Sequence, residues 1–337
     1  MVAAGVPGVI AHVREGDREW DLASGVADVT TKRKAQIDDR VRMGSVTKTF
    51  VAVVMLQLES EGRLSLDDTV DRWLPGVVRG NGNDGRKITI RMLLNHSSGV
   101  PEYLQDEAIF RSYFATGDYD RVWTARELVN SAMKLPPAFA PGTDALYSNT
   151  NYVVAGMIIK AVTGRSVQAE VTRRIIHPLG LRRTTFPERD PSIHGAHLEG
   201  YLSNHYFDYQ NVTRFSPSFA DAAGAIISTP RDVATFHHAL FTGRLLPPAQ
   251  LGELTTVVQS TSLPEIRNGL GFGLSEICGQ ETWTKDGEFP GYTSESVTSR
   301  DGTRQVVYSI NSVGLKDEKA RAVQRAVEDL KEAVFCS

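Results

Sequence analysis

The chain opens on an apolar, β-branched run, Gly8 to Val13, broken by the polar turn Glu15-Gly16-Asp17 and resumed at Trp20 to Ala23. Runs of this kind bounded by turn residues predict strands. The strongest helix pattern covers residues 45–61: Ser45 stands at its start, Gly62 at its stop, and Phe50, Val51, Val53, Val54, Met55, Leu56 and Leu58 lie between. It is apolar nearly all round in its middle, which predicts a central buried helix rather than a surface one. From about residue 64 to 220 the pattern is of helices and irregular loops. Tyr152 to Val162 and Glu170 to Ile176 read as helices ended by Gly164 and Pro178.

After a helix at Asp232 to Phe241 the strand patterns return: Gly271 to Ile277, Glu281 to Thr284, Thr293 to Ser299 and Gln305 to Ile310, with Asp301-Gly302 as a hairpin turn. The chain closes on a helix, Glu318 to Phe335, with Ala322, Val323, Ala326, Leu330 and Val334 on one face. Strands at both ends of a helical middle predict a single α/β unit of the α+β kind. Its sheet part covers about 1–44 and 222–337, and its helical part about 62–221.

Composition narrows the function. With 337 residues, 41% hydrophobic and 23% charged, the chain is of ordinary globular make-up. A net charge of −3 argues against a nucleic-acid partner, which calls for a basic excess. Apolar stretches such as Val51 to Leu56 are far short of the ~20 residues needed to span a membrane. Met1 to Pro7 has neither the basic start nor the apolar core of a signal peptide. Cys278 and Cys336 cannot by themselves build a structural zinc site. They read either as two buried thiols or as one disulfide. The pairs His194/His197 and His237/His238 show no third ligand, so surface or satisfied histidines are expected there. Gly80-x-Gly82-x-x-Gly85 matches a dinucleotide fingerprint by letter. However, Asn81, Asn83 and Asp84 make it a turn cluster, and the run Lys87 to Ile90 after it reads as a strand rather than a helix. No Gly-x-Ser-x-Gly elbow occurs.

The informative segment is Gly44-Ser45-Val46-Thr47-Lys48. A serine at a helix start with a lysine three residues on places both side chains on one face. The helix N-terminus favours the negative charge that develops when such a serine attacks a carbonyl. Lys48 must be neutral to serve as base. With an ordinary pKa of about 10.4, less than roughly one lysine in a thousand is neutral at pH 7, so burial or nearby cations must lower it. Ser-x-x-Lys alone is a weak signal. Tyr147-Ser148-Asn149 adds a phenol able to relay a proton and an amide able to hold a substrate carbonyl or orient Lys48. Trp283-Thr-Lys285-Asp286-Gly287 lies on a strand pattern, where a cation followed by glycine lets substrate backbone approach. Adjacent strand residues face opposite sides, so Lys285 and Asp286 are not expected to pair directly.

Three such elements in this order belong to the penicillin-recognising enzymes. The chain resembles the serine β-lactamase and DD-peptidase superfamily over nearly its whole length, and within it the Streptomyces-type D-alanyl-D-alanine carboxypeptidases/transpeptidases. The resemblance rests on Gly25-Val-Ala-Asp, Val41 to Phe50, Tyr147 to Gly156 and Ala222 to Ser228, with Leu94-Asn-His-Ser-Ser-Gly similar to a structural loop of the class C branch. It implies a five-stranded antiparallel sheet flanked by helices, with a helical subdomain and the site between the two parts. It further implies Ser45 as nucleophile, with Lys48 and Tyr147 moving the proton. Asn149 would hold the substrate amide, and the backbone N–H groups of Ser45 and Glu288 would bind the oxyanion. Lys285, Asp286 and Gly287 would lie along the substrate, and Phe219 would form a pocket wall. No metal or organic cofactor is implied.

The resemblance also pairs Cys278 with Cys336, and with that implies an oxidising, secreted location. A biosynthetic role would instead be cytoplasmic. The implied partner is a small peptide or acyl substrate, with β-lactams as substrates or inhibitors, acting on a monomer away from membranes and nucleic acid. Three positions depart from the pattern. Lys285-Asp286-Gly287 replaces His-Thr-Gly, so a carboxylate stands where a hydroxyl would bind a substrate's terminal carboxylate. Leu274-Ser275-Glu276 stands where an arginine is expected, and the helix expected ahead of Val6 has no counterpart. The leading expectation is therefore an acyl-enzyme hydrolase of D-amino-acid peptides. The alternatives are an acyltransferase, peptide cyclase or esterase on the same fold, a penicillin sensor without turnover, and a site inactivated by Asp286.

Overall fold

The two N-terminal runs form a hairpin, β1 (Gly8–Glu15) and β2 (Arg18–Gly25), and in a computed structural model, which describes residues 1–114, 116–203 and 209–336, this hairpin joins strands from the far end of the chain. Those strands are β3 (Val258–Gln259), β4 (Arg267–Asn268), β5 (Gly273–Ile277), β6 (Gln280–Phe289), β7 (Tyr292–Ser299) and β8 (Arg304–Ile310). The sheet order is β2-β1-β8-β7-β6-β5-β4-β3, antiparallel throughout. It has eight strands where the resemblance implied five. The extension has a local cause: β5 pairs along β6, and the two-residue strands β4 and β3 add to its outer edge.

Alternation along β8 divides the core. Val306, Tyr308 and Ile310 pack with Val327, Val334 and Phe335 of the closing helix, whereas Val307 faces the other core. The sheet is therefore covered on both faces, which explains why β8 is buried over nearly its whole length. Cys278 and Cys336 form a disulfide, with Cα atoms 5.5 Å apart, that ties the end of the closing helix to the β5–β6 turn.

The main helices are α1 (Thr47–Ser60), α2 (Glu107–Phe114), α3 (Ala125–Ala132), α4 (Asn149–Thr163), α5 (Pro230–Phe241), α6 (Pro248–Thr255) and α7 (Asp317–Phe335). α1 is buried from Thr47 to Leu56, as its all-round apolar pattern requires, and packs against α4 and α6. α4 ends at Gly164, whose φ of +73° forms a left-handed cap. The Gly80–Gly85 run makes a two-residue hairpin, Arg79–Gly80 with Asn83–Asp84. The strand expected at Lys87 to Ile90 is not formed. Thr89 caps a short helix, Ile90–Leu94, by accepting from the Met92 N–H, so the Ile-Thr-Ile run marks a helix start.

Candidate active site

Ser45 does not cap α1. It lies in a 3₁₀ turn, Gly44–Val46, immediately before the helix, which leaves its hydroxyl free of the backbone. Two glycines press this turn against β6. Gly44 has φ +51°, and a Cβ on it would lie 2.4 Å from the Glu288 carbonyl oxygen. A Cβ on Gly287 would lie 2.0 Å from the Met43 oxygen and 3.2 Å from the Ser45 nitrogen. The nucleophile turn and the strand thus meet backbone to backbone. Gly287→Ala should force them apart, costing about 1–3 kcal/mol as overpacking does and slowing acylation of Ser45. Thermal melts and labelling rates check this together, and an unchanged labelling rate would show that the close approach is dispensable.

Lys48 sits one helical turn on and is fully buried. Its Nζ lies 2.9 Å from Ser45 Oγ, 2.8 Å from Asn149 Oδ1 and 2.6 Å from the Ala223 carbonyl oxygen. Burial first, then the neighbouring Lys285 charge, hold its ammonium well below the usual lysine range. The three partners fit a neutral amine. Two carbonyl-type acceptors take its two N–H bonds, and the lone pair is left for the Ser45 hydroxyl proton. Tyr147 Oη lies 2.6 Å from the same Ser45 Oγ, and burial pushes its phenol up, so it remains an O–H donor. The Tyr147 ring lies between two lysine nitrogens, Lys48 Nζ 4.8 Å and Lys285 Nζ 5.4 Å from its centroid.

β5 pairs with β6 only as far as Thr284, so from Lys285 onward the outer edge of β6 is unpaired among the described residues and borders the cleft. That cleft, about 570 Å³, is lined by Ser45, Tyr147, Asn149, Asp286 and Glu288, with Tyr103, Phe219 and Phe289 as aromatic walls. All nine residues singled out from the sequence therefore lie in or beside it. One expectation fails: Lys285 and Asp286 do pair, Nζ to Oδ1, at 2.7 Å. The strand alternation holds, since Lys285 is buried and Asp286 exposed, but the four-carbon arm of Lys285 reaches around the strand edge to the carboxylate. This charge holds the Asp286 carboxyl below the usual range, while burial and Asp286 together push Glu288 up.

Three contributors escaped the sequence reading: the Ala223 carbonyl, Glu102 and His96. One oxygen of Glu102 accepts from both the backbone N–H of Asn149 (2.6 Å) and its side-chain Nδ2 (3.0 Å). His96 is buried with its ring 4.5 Å from that of Tyr147, and its Nδ1 accepts from the Ser148 N–H. Backbone carbonyls carry no sequence signal, and Glu102 reaches the site from a loop 47 residues before Asn149. The paired histidines make separate contacts. His237 is buried against Ser296 Oγ and held near 3 by burial, His238 donates to the Gly302 carbonyl, and His194 and His197 meet Asp190 and Glu199.

A family model described as Beta-lactamase matches residues 1–330. The chain belongs to the Beta-lactamase family. Within that family, it is 42% identical to a D-stereospecific amidohydrolase from Streptomyces sp., with a TM-score of 0.90 over 99% of this chain and 95% of that one. D-amino acid amidase from Ochrobactrum anthropi SV3 follows at 28% identity and a TM-score of 0.84, covering 98% and 95%. Esterase EstB of Burkholderia gladioli is 34% identical over 190 residues, 55% of this chain and 48% of EstB. This Beta-lactamase-family chain thus shares its α/β fold with the amidohydrolase and the amidase, resembles the esterase over about half its length, and is a serine hydrolase of the acyl-enzyme kind.

Proposed function

We propose that the chain hydrolyses D-aminoacyl amides, esters and C-terminally blocked peptides through an acyl-enzyme on Ser45, and that it is a poor D-alanyl-D-alanine carboxypeptidase. The observation that carries the chemistry is the joint approach of Lys48 Nζ and Tyr147 Oη to Ser45 Oγ. Lys48 takes the hydroxyl proton as Ser45 attacks the carbonyl, and the backbone N–H groups of Ser45 and Glu288 receive the oxyanion. Tyr147 hands a proton to the leaving nitrogen or oxygen, and water then releases the acyl group by the reverse relay. The remaining N–H of Asn149 Nδ2 is free to donate to a substrate carbonyl, since its Oδ1 is taken by Lys48.

The substrate class rests on the rim. The Lys285 ammonium, the group suited to a terminal carboxylate, is already held by Asp286. Likeness to a D-stereospecific amidohydrolase and a D-amino acid amidase supports the amide and D-amino-acid part. The disulfide supports an oxidising location for this activity.

The test is intact-mass spectrometry after treatment with a fluorescent penicillin or a phosphonate, together with hydrolysis of D- and L-phenylalanine amide. Wild type should gain one adduct and prefer the D-amide, and Ser45→Ala should gain none. An adduct persisting in Ser45→Ala would overturn the nucleophile, and equal rates on both enantiomers would overturn the substrate class.

A further inference from the structure

Asn149 faces two neighbours with opposite demands. Its Oδ1 meets Lys48 Nζ at 2.8 Å, and its Nδ2 meets a Glu102 oxygen at 3.0 Å. A side-chain amide is nearly symmetric in shape, so its orientation depends on its partners. The two orientations differ sharply in their effect on Lys48. As found, Oδ1 accepts one N–H of the amine and leaves its lone pair for Ser45. Turned over, Nδ2 would donate to that lone pair and occupy the electrons that must take the Ser45 proton.

We propose that Glu102 is a positioning residue for the acyl-transfer chemistry: as an acceptor-only group it locks the Asn149 amide with its oxygen toward Lys48 and so keeps the lysine lone pair available to Ser45. This rests on the reading of Lys48 as base. The carboxylate is well placed for the task. It is half-buried, the same oxygen takes the Asn149 backbone N–H at 2.6 Å, and its other oxygen takes the Leu104 N–H at 3.1 Å. Three N–H donors therefore hold it in place. It also satisfies the first free N–H of α4 and lays negative charge at that helix's N-terminus.

The lock needs one acceptor oxygen facing Asn149, which the ionised carboxylate supplies whichever way it turns. Burial pushes the Glu102 carboxyl above the ordinary range, opposed by the Asn149 and Leu104 N–H bonds and by Lys48. The groups facing it are Lys48 from α1, Asn149 and Tyr147 at the start of α4, and Tyr103 on its own turn. Because one acceptor oxygen suffices, a protonated Glu102 with its O–H on the other oxygen keeps the lock, and the decisive change is removal of the acceptor rather than of the charge.

The test compares wild type, Glu102→Gln and Glu102→Leu by their rates of labelling with an alkyl fluorophosphonate. That probe needs only an activated serine and no D-amino-acid recognition. Glutamine keeps one acceptor oxygen where both Asn149 bonds fall, so Glu102→Gln should label within about fivefold of wild type. Leucine removes the acceptor, and Glu102→Leu should label about a hundredfold more slowly, the scale of losing a general base. Glutamine and leucine variants equally slow would mean that charge, not amide orientation, is what matters, and would overturn the proposal. So would a leucine variant at the wild-type rate. Should Glu102→Leu fail to fold, Glu102→Met takes its place with the same two outcomes, slow labelling expected and the wild-type rate overturning the proposal. A wild type that takes no label overturns the serine reading itself, an outcome distinct from all of these.

Discussion

Lys48→Met is expected to fold, and to acylate Ser45 about a hundred to ten thousand times more slowly than wild type, the range that a positioned general base contributes. Methionine nearly matches lysine in length and volume, so the buried slot beside Asn149 and Ala223 stays filled. What disappears is the lone pair 2.9 Å from Ser45 Oγ. The same substitution tests the electrostatics of burial. Lys48 is held well below its ordinary value in the folded protein, so the unfolded chain binds more protons than the native one, and wild-type stability must rise with pH until the unfolded lysine titrates near about 10.4. Methionine removes that dependence. It also leaves Asn149 Oδ1 and the Ala223 oxygen without the amine, at about 1–3 kcal/mol for each unsatisfied acceptor. The stability advantage of wild type over Lys48→Met should therefore be smaller at pH 7 than at pH 9. Urea unfolding at the two values measures it. An advantage equal at the two values would mean that Lys48 is protonated in the folded state, and labelling at the wild-type rate would remove it as the base.

That site was legible where local periodicity and chemistry coincide. Ser45 and Lys48 share one turn, and the apolar helix behind them announces its own burial. The long strands of the sheet and α7 follow from runs whose period matches their structure. The outlying strands β3 and β4 were not legible, because two residues carry no pattern and pair only because β5 offers an edge. α3 went unread although Thr124 and Glu127 form a capping box around its first turn. Thr89 shows the converse error, a β-branched run taken for a strand where the threonine caps a helix.

Tertiary contacts account for the rest. Glu102 lies in an irregular loop, and nothing in its sequence neighbourhood singles it out from the chain's other glutamates. Only the folded chain brings its oxygen to 2.6 Å from the Asn149 N–H. The Lys285–Asp286 pair was excluded by a sound rule about strand faces that overlooks the reach of a lysine beside an unpaired strand edge.

This pair governs the second large effect. Asp286→Thr should raise kcat/KM on a D-alanyl-D-alanine peptide by about tenfold or more, a change of ~1.4 kcal/mol in the barrier. In wild type, Lys285 holds Asp286 ionised and is in turn occupied by it, at 2.7 Å. A substrate carboxylate approaching this stretch of β6 meets a like charge and finds no free cation. Two unit charges about 4 Å apart repel by about 1 kcal/mol in water and about 4 at an effective dielectric near 20. Asp286 is exposed on the cleft rim, its side chain 85% accessible, so the lower end of that range applies to repulsion alone. Threonine removes the repulsion, frees the buried Lys285 ammonium and adds a hydroxyl that donates to a carboxylate. The three changes act in one direction for a charged leaving group and have no counterpart for a neutral one. D-Phenylalanine amide or an uncharged ester should thus change by less than about threefold, which is under 1 kcal/mol. Steady-state kinetics on the two substrates decide it. An equal rise on both would mean that Asp286 does not read the leaving group's charge, and a fall on both would mean that its bond to Lys285 holds β6 in place beside Ser45.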